Sequence, residues 1–208
     1  INRFAECWVP APENSFVAEL AKNETGLNVR HIGYLSRFEK KVLEKKFDVC
    51  AICSGPEPQR SYFDDYVSYE LKNSKRQTII VRGKTESMSK YFKKDQRFTI
   101  SNYLTSEDLN DVIEQSEIII ARPGYSTVMD LAKLGKKAIF IPTPGQTEQN
   151  YIAAELMKNG IAFSVSQEDF NLETALKESE KYSGFNSFNY DDSLLQNALD
   201  HLLNEEIV

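Results

Sequence analysis

Short apolar runs alternate along the chain with longer segments of helical periodicity. The runs are almost continuously apolar, which is typical of strands in a parallel sheet that is covered on both faces. They span 47–53, 77–82, 97–101, 117–121 and 137–142, with shorter candidates at 29–33 and 161–165. Helical patterns occupy 58–73, 106–115, 126–134, 147–158, 171–181 and 191–204. This order predicts an α/β fold, a Rossmann-like doubly wound parallel sheet.

Turn residues and composition shifts set the expected boundaries. Ser106 is predicted to cap a helix at its N-terminus, and Gly135 and Gly160 fall where helix C-termini are expected. Two prolines and an Asn-Ser pair near the start indicate that 1–36 is a linker or the end of a preceding domain. We expect the Rossmann-like domain at 37–185 and a C-terminal helix at 186–208, which could cross toward an N-terminal domain.

Composition narrows the function classes. The 208 residues carry 25 Lys+Arg against 31 Asp+Glu, a net charge of −6. This balance argues against a nucleic-acid binder, although a small basic pocket stays compatible with it. Three cysteines form no disulfide framework, and Cys50 and Cys53 lie in an apolar strand pattern that predicts burial. No apolar run approaches the ~18 residues that a membrane span needs, and a cytoplasmic location is expected.

In a parallel doubly wound sheet, ligands bind beyond the carboxyl ends of the strands. After the strand at 117–121, Gly124 could allow close backbone approach or an unusual backbone angle, and a helix follows. The free amides of its first turn and the hydroxyls of Ser126 and Thr127 predict an anion site. An ordinary Ser cap is the alternative. Asp130 lies one turn further on and could hold a ribose, or be an exposed acid.

Two further loops carry candidate chemistry. Polar residues at 146–150 suit a sugar, because amides recognise hydroxyl groups without net charge, although a solvated helix start would look the same. The loop at 54–60 could approach a phosphate or merely turn, and it is not a dinucleotide fingerprint. His31 and His201 have no nucleophile pattern beside them, and no metal-ligand cluster is apparent. We therefore expect no metal and no general base in this chain.

The stretch at 118–160, IIIARPGYSTVMDLAKLGKKAIFIPTPGQTEQNYIAAELMKNG, resembles the signature of the MurG-type glycosyltransferases, glycosyltransferase family 28. Its elements are an Arg-x-Gly-x-x-Thr turn, an acid on the next helix, Leu-Gly-Lys, a strand ending in Pro, and a Gln-containing helix start. HIGYLSRF (31–38) and CSGPEPQR (53–60) extend the resemblance more loosely. It implies the C-terminal, donor-binding domain of a two-domain GT-B enzyme.

The resemblance also implies residue roles. Asp130 would hold the ribose, the backbone of Leu104 would read uracil, and Arg37 would lie on the donor side. The implied phosphate-binding and sugar-binding residues are Ser54, Gly55, Arg122, Gly124, Tyr125, Ser126, Thr127, Gln149 and Asn150. The chain departs from MurG enzymes in its S-G-P-E-P loop, in the Gln149-Asn150 pair and at Ala153-Ala154. These differences argue against assigning N-acetylglucosamine as the sugar.

The function implied by the resemblance is hexosyl transfer from a nucleotide sugar, expected to be a UDP-sugar, to an unknown acceptor. The base would lie in an N-terminal domain outside this chain, which would be inactive alone. Expected partners are that domain and the nucleotide sugar, with no cofactor and no nucleic acid. Membrane association, at the inner face, would concern the full-length protein. Alternatives are a GT-B nucleotide-sugar hydrolase or 2-epimerase, and a non-catalytic or donor-binding subunit of a split transferase.

Overall fold

The computed structural model describes residues 6–13, 28–87, 89, 91–187 and 193–205. Contacts divide the chain into two compact units, residues 37–187 and residues 1–36 together with 188–208. The elements are β1 (Cys7–Val9), β2 (Val29–His31), β3 (Phe47–Ile52), α1 (Gln59–Asn73), β4 (Thr78–Val81), β5 (Tyr91–Lys94), β6 (Phe98–Ser101), α2 (Ser106–Glu114), β7 (Ser116–Ala121), α3 (Tyr125–Leu134), β8 (Lys137–Phe140), α4 (Thr147–Lys158), β9 (Phe163–Ser164), α5 (Leu172–Ser179) and α6 (Ser193–Glu205), with a 3-10 helix at Phe185–Ser187.

The larger unit is built on a seven-stranded sheet in the order β5-β6-β4-β3-β7-β8-β9. All neighbours pair in parallel except β5, which runs antiparallel to β6 at one edge. From β3 the chain first builds the sheet outward through β4 and β6. It then returns to place β7 against the other side of β3 and continues through β8 and β9. The strand order therefore reverses between β3 and β7, and a doubly wound sheet binds ligands at such a point.

Apolar runs form the central strands because both of their faces are covered. β4 is buried along its whole length, and one core cluster joins Val49, Ile80 and Ile120 of the sheet to Phe63 and Val67 of α1. Burial of this apolar surface supplies the main favourable term in folding. The predicted doubly wound α/β fold is confirmed, and each predicted strand and helix overlaps an observed one.

Two local expectations were wrong. β5 was not predicted, because its sequence YFKK has no β-branched residue and forms a strand only by pairing with β6. The cap of α2 is Thr105 and not Ser106: the Thr105 side chain accepts a hydrogen bond from the amide of Asp108 at 3.2 Å. Ser106 is instead the first helical residue.

Other local predictions were right. Gly135 and Gly160 follow α3 and α4 with φ of 66° and 65°, a left-handed conformation that favours glycine at helix ends. Cys50 and Cys53 are free thiols and fully buried. Burial raises the pKa of Cys50 to about 12, so this thiol stays protonated at neutral pH.

The smaller unit contains the parallel pair β1–β2 and helix α6. The carboxylate of Glu6 accepts hydrogen bonds from Trp8 Nε1 at 2.7 Å and from Arg30 Nε at 2.8 Å. His31 Nδ1 lies 3.0 Å from the carbonyl oxygen of Ala11. None of the helices in the described part of the chain combines the length and apolar character that a bilayer span requires.

Candidate functional site

A cavity of about 280 Å³ lies at the carboxyl edge of the sheet, over the point where the strand order reverses. Ile52, Cys53 and Ser54 at the end of β3 contribute its floor, together with Val81 of β4. The remaining lining residues come from separate loops and helices: Arg37, Phe38, Gly83, Thr85, Tyr103, Leu104, Leu109, Ile113, Ser126, Thr127, Asp130 and Leu131. The fold thus gathers residues that are far apart in the sequence.

The N-terminus of α3 forms the polar wall of this cavity. Ser126 and Thr127 lie in its first turn and line the cavity, and no side chain caps the helix. Backbone amides at a helix start have no partner within the helix and carry partial positive charge, so this wall suits an anion. Asp130, half-buried, lines the same cavity one turn further along.

Gly124, the cap residue of α3, has an ordinary backbone conformation. Its φ of −72° and ψ of 145° are open to any residue, so the suggested unusual conformation was wrong. A Cβ at this position would meet only Thr127 Oγ1, at 3.9 Å. The space around this position is therefore open enough for a ligand to approach the backbone.

A second group of lining residues forms an apolar wall. Phe38, Leu104, Leu109 and Ile113 line it together with Tyr103. The guanidinium carbon of Arg37 lies 5.1 Å from the centre of the Phe38 ring, within cation–π range. A flat, partly polar ring fits such a wall better than a charged group does. The lining of the cavity thus combines the first turn of α3, which suits an anion, with apolar side chains.

Sequence reasoning missed the loop after β4. Gly83 and Thr85 line the cavity, and Arg60 Nη1 donates to the Gly83 carbonyl at 2.7 Å. Arg82 anchors the start of the same loop through the buried carboxylate of Asp64, with an Nε–Oδ2 distance of 2.8 Å. A glycine directly after a strand was the available signal, since such positions often allow a tight turn or a close approach.

The structure does not bring Arg122 to the cavity surface. Its side chain is buried, with 2% of the residue exposed. Nη1 donates to the carbonyl oxygens of Ile141 and Pro142, both at 2.9 Å, and Nη2 donates to Gln167 Oε1 at 2.5 Å. The direct donor contact suggested for Arg122 is therefore not available in this arrangement.

Gln149 and Asn150 lie at the start of α4, away from this cavity. Gln149 Oε1 accepts from the Thr143 amide at 2.8 Å, and Gln149 Nε2 donates to Gln146 Oε1 at 2.6 Å. Asn150 lines a second cleft of about 450 Å³, with Pro142, Pro144, Ala153, Ala154, Met157 and residues 164–168.

Gly55 is exposed at φ 101° and Tyr125 is half-buried, and neither lines the first cavity.

Metal-binding chemistry is not apparent in the described residues. No group of three or more His, Cys, Asp or Glu side chains in that part of the chain could hold a metal ion. The positive groups at the cavity are Arg37 and the α3 N-terminus.

Comparison with protein families gives a match over most of the larger unit. The sequence model of the glycosyltransferase family 28 C-terminal domain matches residues 62–198, more than half of the chain. The chain belongs to this family. Helix α3 and the strands on both sides of it, which carry the polar wall of the cavity, lie within the matched region.

The chain matches only part of the length of its curated relatives. The UDP-N-acetylglucosamine–N-acetylmuramyl-(pentapeptide) pyrophosphoryl-undecaprenol N-acetylglucosamine transferase of Buchnera aphidicola is 34% identical over 94 residues, 43% of this chain and 27% of the relative. The Methylobacterium radiotolerans protein of the same name is 39% identical over 69 residues, 32% of this chain and 19% of the relative. The chain thus matches about a quarter or less of these relatives.

Solved structures agree on the fold of the family. MurG from Acinetobacter baumannii superimposes with a TM-score of 0.56 at 16% identity, covering 96% of this chain and 65% of that protein. The glycotransferase of kitacinnamycin superimposes with a TM-score of 0.64 at 15% identity, covering 98% of this chain and 55% of that protein. At this identity the likeness establishes the fold, the C-terminal half of the GT-B arrangement.

Proposed function

We propose that this chain binds the nucleotide-sugar donor of a glycosyltransferase, and that the donor is a UDP-sugar. One observation carries the proposal. Arg37, Ser54, Leu104, Ser126, Thr127 and Asp130 come from separate segments of the chain and line a single cavity at the switch point of the sheet. Its lining offers apolar side chains for a nucleobase and the first turn of α3 for a diphosphate.

We assign each part of the nucleotide-sugar donor to lining residues of matching chemistry. Uracil lies against Phe38 and Leu104, and Asp130 accepts hydrogen bonds from the ribose hydroxyls. The diphosphate meets the first-turn amides and hydroxyls of Ser126 and Thr127. Hydrogen-bonding groups that are already oriented around the leaving diphosphate stabilise the negative charge that develops on it. Arg37 adds a full positive charge. The catalytic general base and the acceptor site belong to an N-terminal domain outside this chain.

We place the transferred sugar near the start of α4, because Gln149 and Asn150 lie there and the family resemblance implies that they bind the sugar. Gln149 already uses both ends of its amide within its own loop. Asn150 is exposed and is therefore the residue we assign to the sugar hydroxyls. Hydrolase and 2-epimerase activities, and a split-subunit arrangement, are not favoured by a family whose curated relatives bear transferase names. The buried free thiols suit a cytoplasmic enzyme.

Titration calorimetry of the chain with UDP, dTDP, UDP-glucose and UDP-N-acetylglucosamine tests the proposal. UDP and at least one UDP-sugar should bind, with UDP preferred over dTDP. The Asp130→Ala variant should bind UDP at least about tenfold more weakly, since a charge-assisted hydrogen bond contributes about 1.5–3 kcal/mol. Asp65→Ala, the same substitution at an exposed site on α1, is the matched control. Absence of binding at millimolar nucleotide, or equal affinity in both variants, would contradict the proposal.

A further inference from the structure

Arg122 is a buried cation that contacts only neutral groups among the described residues. Its guanidinium donates to two backbone carbonyls and to the amide oxygen of Gln167, and its central carbon lies 4.2 Å from the centre of the Phe63 ring. These contacts supply three hydrogen-bond acceptors and no negative charge. Among the described residues, the positive charge of Arg122 therefore has no carboxylate partner.

The other strongly buried cationic contacts of the larger unit include a carboxylate. Lys136 Nζ lies 3.0 Å from Glu114 Oε2, with both side chains 6% exposed. Arg82 lies 2.8 Å from Asp64, whose side chain is 3% exposed. A buried ion that lacks a counter-charge pays a desolvation cost that no Coulomb attraction offsets. Arg122 departs from the pattern that Lys136 and Arg82 follow.

Burial lowers the pKa of Arg122 to about 10, so the group remains protonated at neutral pH. A neutral side chain of similar volume would avoid the desolvation cost. Groups that cost stability and persist at a ligand-binding edge commonly contribute to function there. This points to a role for the charge itself.

The position of Arg122 places this charge beside the nucleotide cavity. Ile52 of β3 pairs with Ala121 of β7, so Cys53 and Arg122 follow at the ends of two adjacent strands. Cys53 lines the cavity. Burial and the charge of Asp64 raise the pKa of Cys53, and the charges of Arg82 and Arg122 oppose that rise. Arg122 thus follows the strand that adjoins the one leading to Cys53 at the cavity, and it lies two residues before the cap of α3.

We propose that Arg122 is a positioning residue that strengthens diphosphate binding through its uncompensated charge, without touching the ligand. The inference rests on the proposed function, because it assigns the counter-charge of Arg122 to the phosphates of the donor. A charge in a low-dielectric interior acts over several ångströms, whereas a solvated surface charge is screened. Arg122 thereby makes the site discriminate by phosphate charge: its effect grows from uridine to UMP to UDP.

Gln167→Glu is the decisive variant, because it gives Arg122 a carboxylate partner at an existing hydrogen-bond position. The guanidinium and its carbonyl contacts stay in place while the local charge is neutralised. We expect UDP affinity to fall about tenfold, UMP affinity to fall less, and uridine affinity to change by less than about twofold. Calorimetry with the three ligands measures this dependence. Gln77→Glu adds the same charge at an exposed position before β4 and is the matched control.

Arg122→Lys separates charge from geometry. The lysine cannot reproduce the contacts with three acceptors, but it keeps the positive charge. Because the proposal attributes phosphate discrimination to the charge, the ratio of UDP to uridine affinity should stay near that of the unmodified chain. A ratio in Gln167→Glu within about twofold of the Gln77→Glu value would overturn the inference. So would a loss of the ratio in Arg122→Lys equal to that in Gln167→Glu. Failure of the unmodified chain to bind UDP would instead overturn the proposed function, and the inference with it.

Discussion

At the residue scale, Gly83 is fixed by both its backbone conformation and its surroundings. Its φ is 65°, in the left-handed region, and a Cβ there would lie 2.8 Å from the carbonyl oxygen of Cys53. That distance is shorter than an ordinary contact, and the obstructing atom is backbone, which cannot rotate away. The glycine therefore lets the loop after β4 pass directly over the end of β3, where both contribute to the cavity.

Gly83→Ala should destabilise the larger unit by about 2–4 kcal/mol, because the substitution adds a steric clash to the cost of a left-handed alanine. Gly160→Ala is the matched control: its φ is also 65°, but nothing lies within 4 Å of the added Cβ. The control should cost about 1 kcal/mol. Urea unfolding followed by far-UV circular dichroism gives both values. Equal losses would show that the approach to Cys53 contributes nothing.

Single residues also mark the limit of sequence reasoning about the site. Ser126, Thr127 and Asp130 were found because a glycine, two hydroxyls and an acid at helical spacing have recognisable chemistry. Arg122 was placed in the donor site because its Arg-x-Gly-x-x-Thr turn resembles the family signature. Its burial depends on the carbonyls of Ile141 and Pro142, directly after β8, and on the side-chain amide of Gln167. No pattern in the neighbouring sequence predicts these partners.

At the element scale, α2 begins with a reciprocal cap. Thr105 Oγ1 accepts from the Asp108 amide at 3.2 Å and donates to Asp108 Oδ2 at 2.8 Å. Glu107 and Asp108 add negative charge in the first turn, where the helix dipole favours it. The same helix supplies Leu109 and Ile113 to the apolar wall of the cavity, so the cap also positions part of the site.

Thr105→Ala should lower the free energy of unfolding by about 1 kcal/mol, because an amide of the first turn loses its acceptor. Ser106→Ala, one position later on an exposed side chain, should change it by less than about 0.5 kcal/mol. Thermal or urea unfolding of the two variants distinguishes the observed cap from the one expected from sequence. A larger loss for Ser106→Ala would return the cap to that residue.

Elements with strong internal signals were predictable, and the edge strand was not. β3, β4 and β7 have apolar runs that only a doubly covered sheet accommodates, so their sequence alone indicates their state. β5 owes its conformation to pairing with β6. The turn that joins them is visible in retrospect, because Asp95 Oδ1 accepts hydrogen bonds from the amides of Arg97 and Phe98.

At the scale of the whole molecule, the order of the strands determines where the site lies. β4 and β7 lie on opposite sides of β3, so the chain connections run in opposite directions from this point. The loops that follow β3 and β7 therefore diverge and leave a crevice. The alternation of strand and helix predicts such a crevice but not its location, since strand order depends on long-range pairing. The cavity lies wholly within the larger unit, so donor binding should stabilise that unit directly.

The division into two units gives this stabilisation a test with a built-in control. UDP at 100 times its dissociation constant should raise the free energy of unfolding of residues 37–187 by about 2.7 kcal/mol. Far-UV circular dichroism follows mainly this unit, which contains most of the helices and strands. Trp8 is the one tryptophan of the sequence and belongs to the smaller unit, so its fluorescence reports that unit. UDP should move the circular dichroism transition and leave the Trp8 transition in place, because ligand energy is coupled only to the unit that unfolds with the site. A common shift of both transitions would mean that the two units unfold together. In Asp130→Ala the same UDP concentration should give a smaller shift, at most about 1.4 kcal/mol, if the stabilisation comes from the nucleotide cavity.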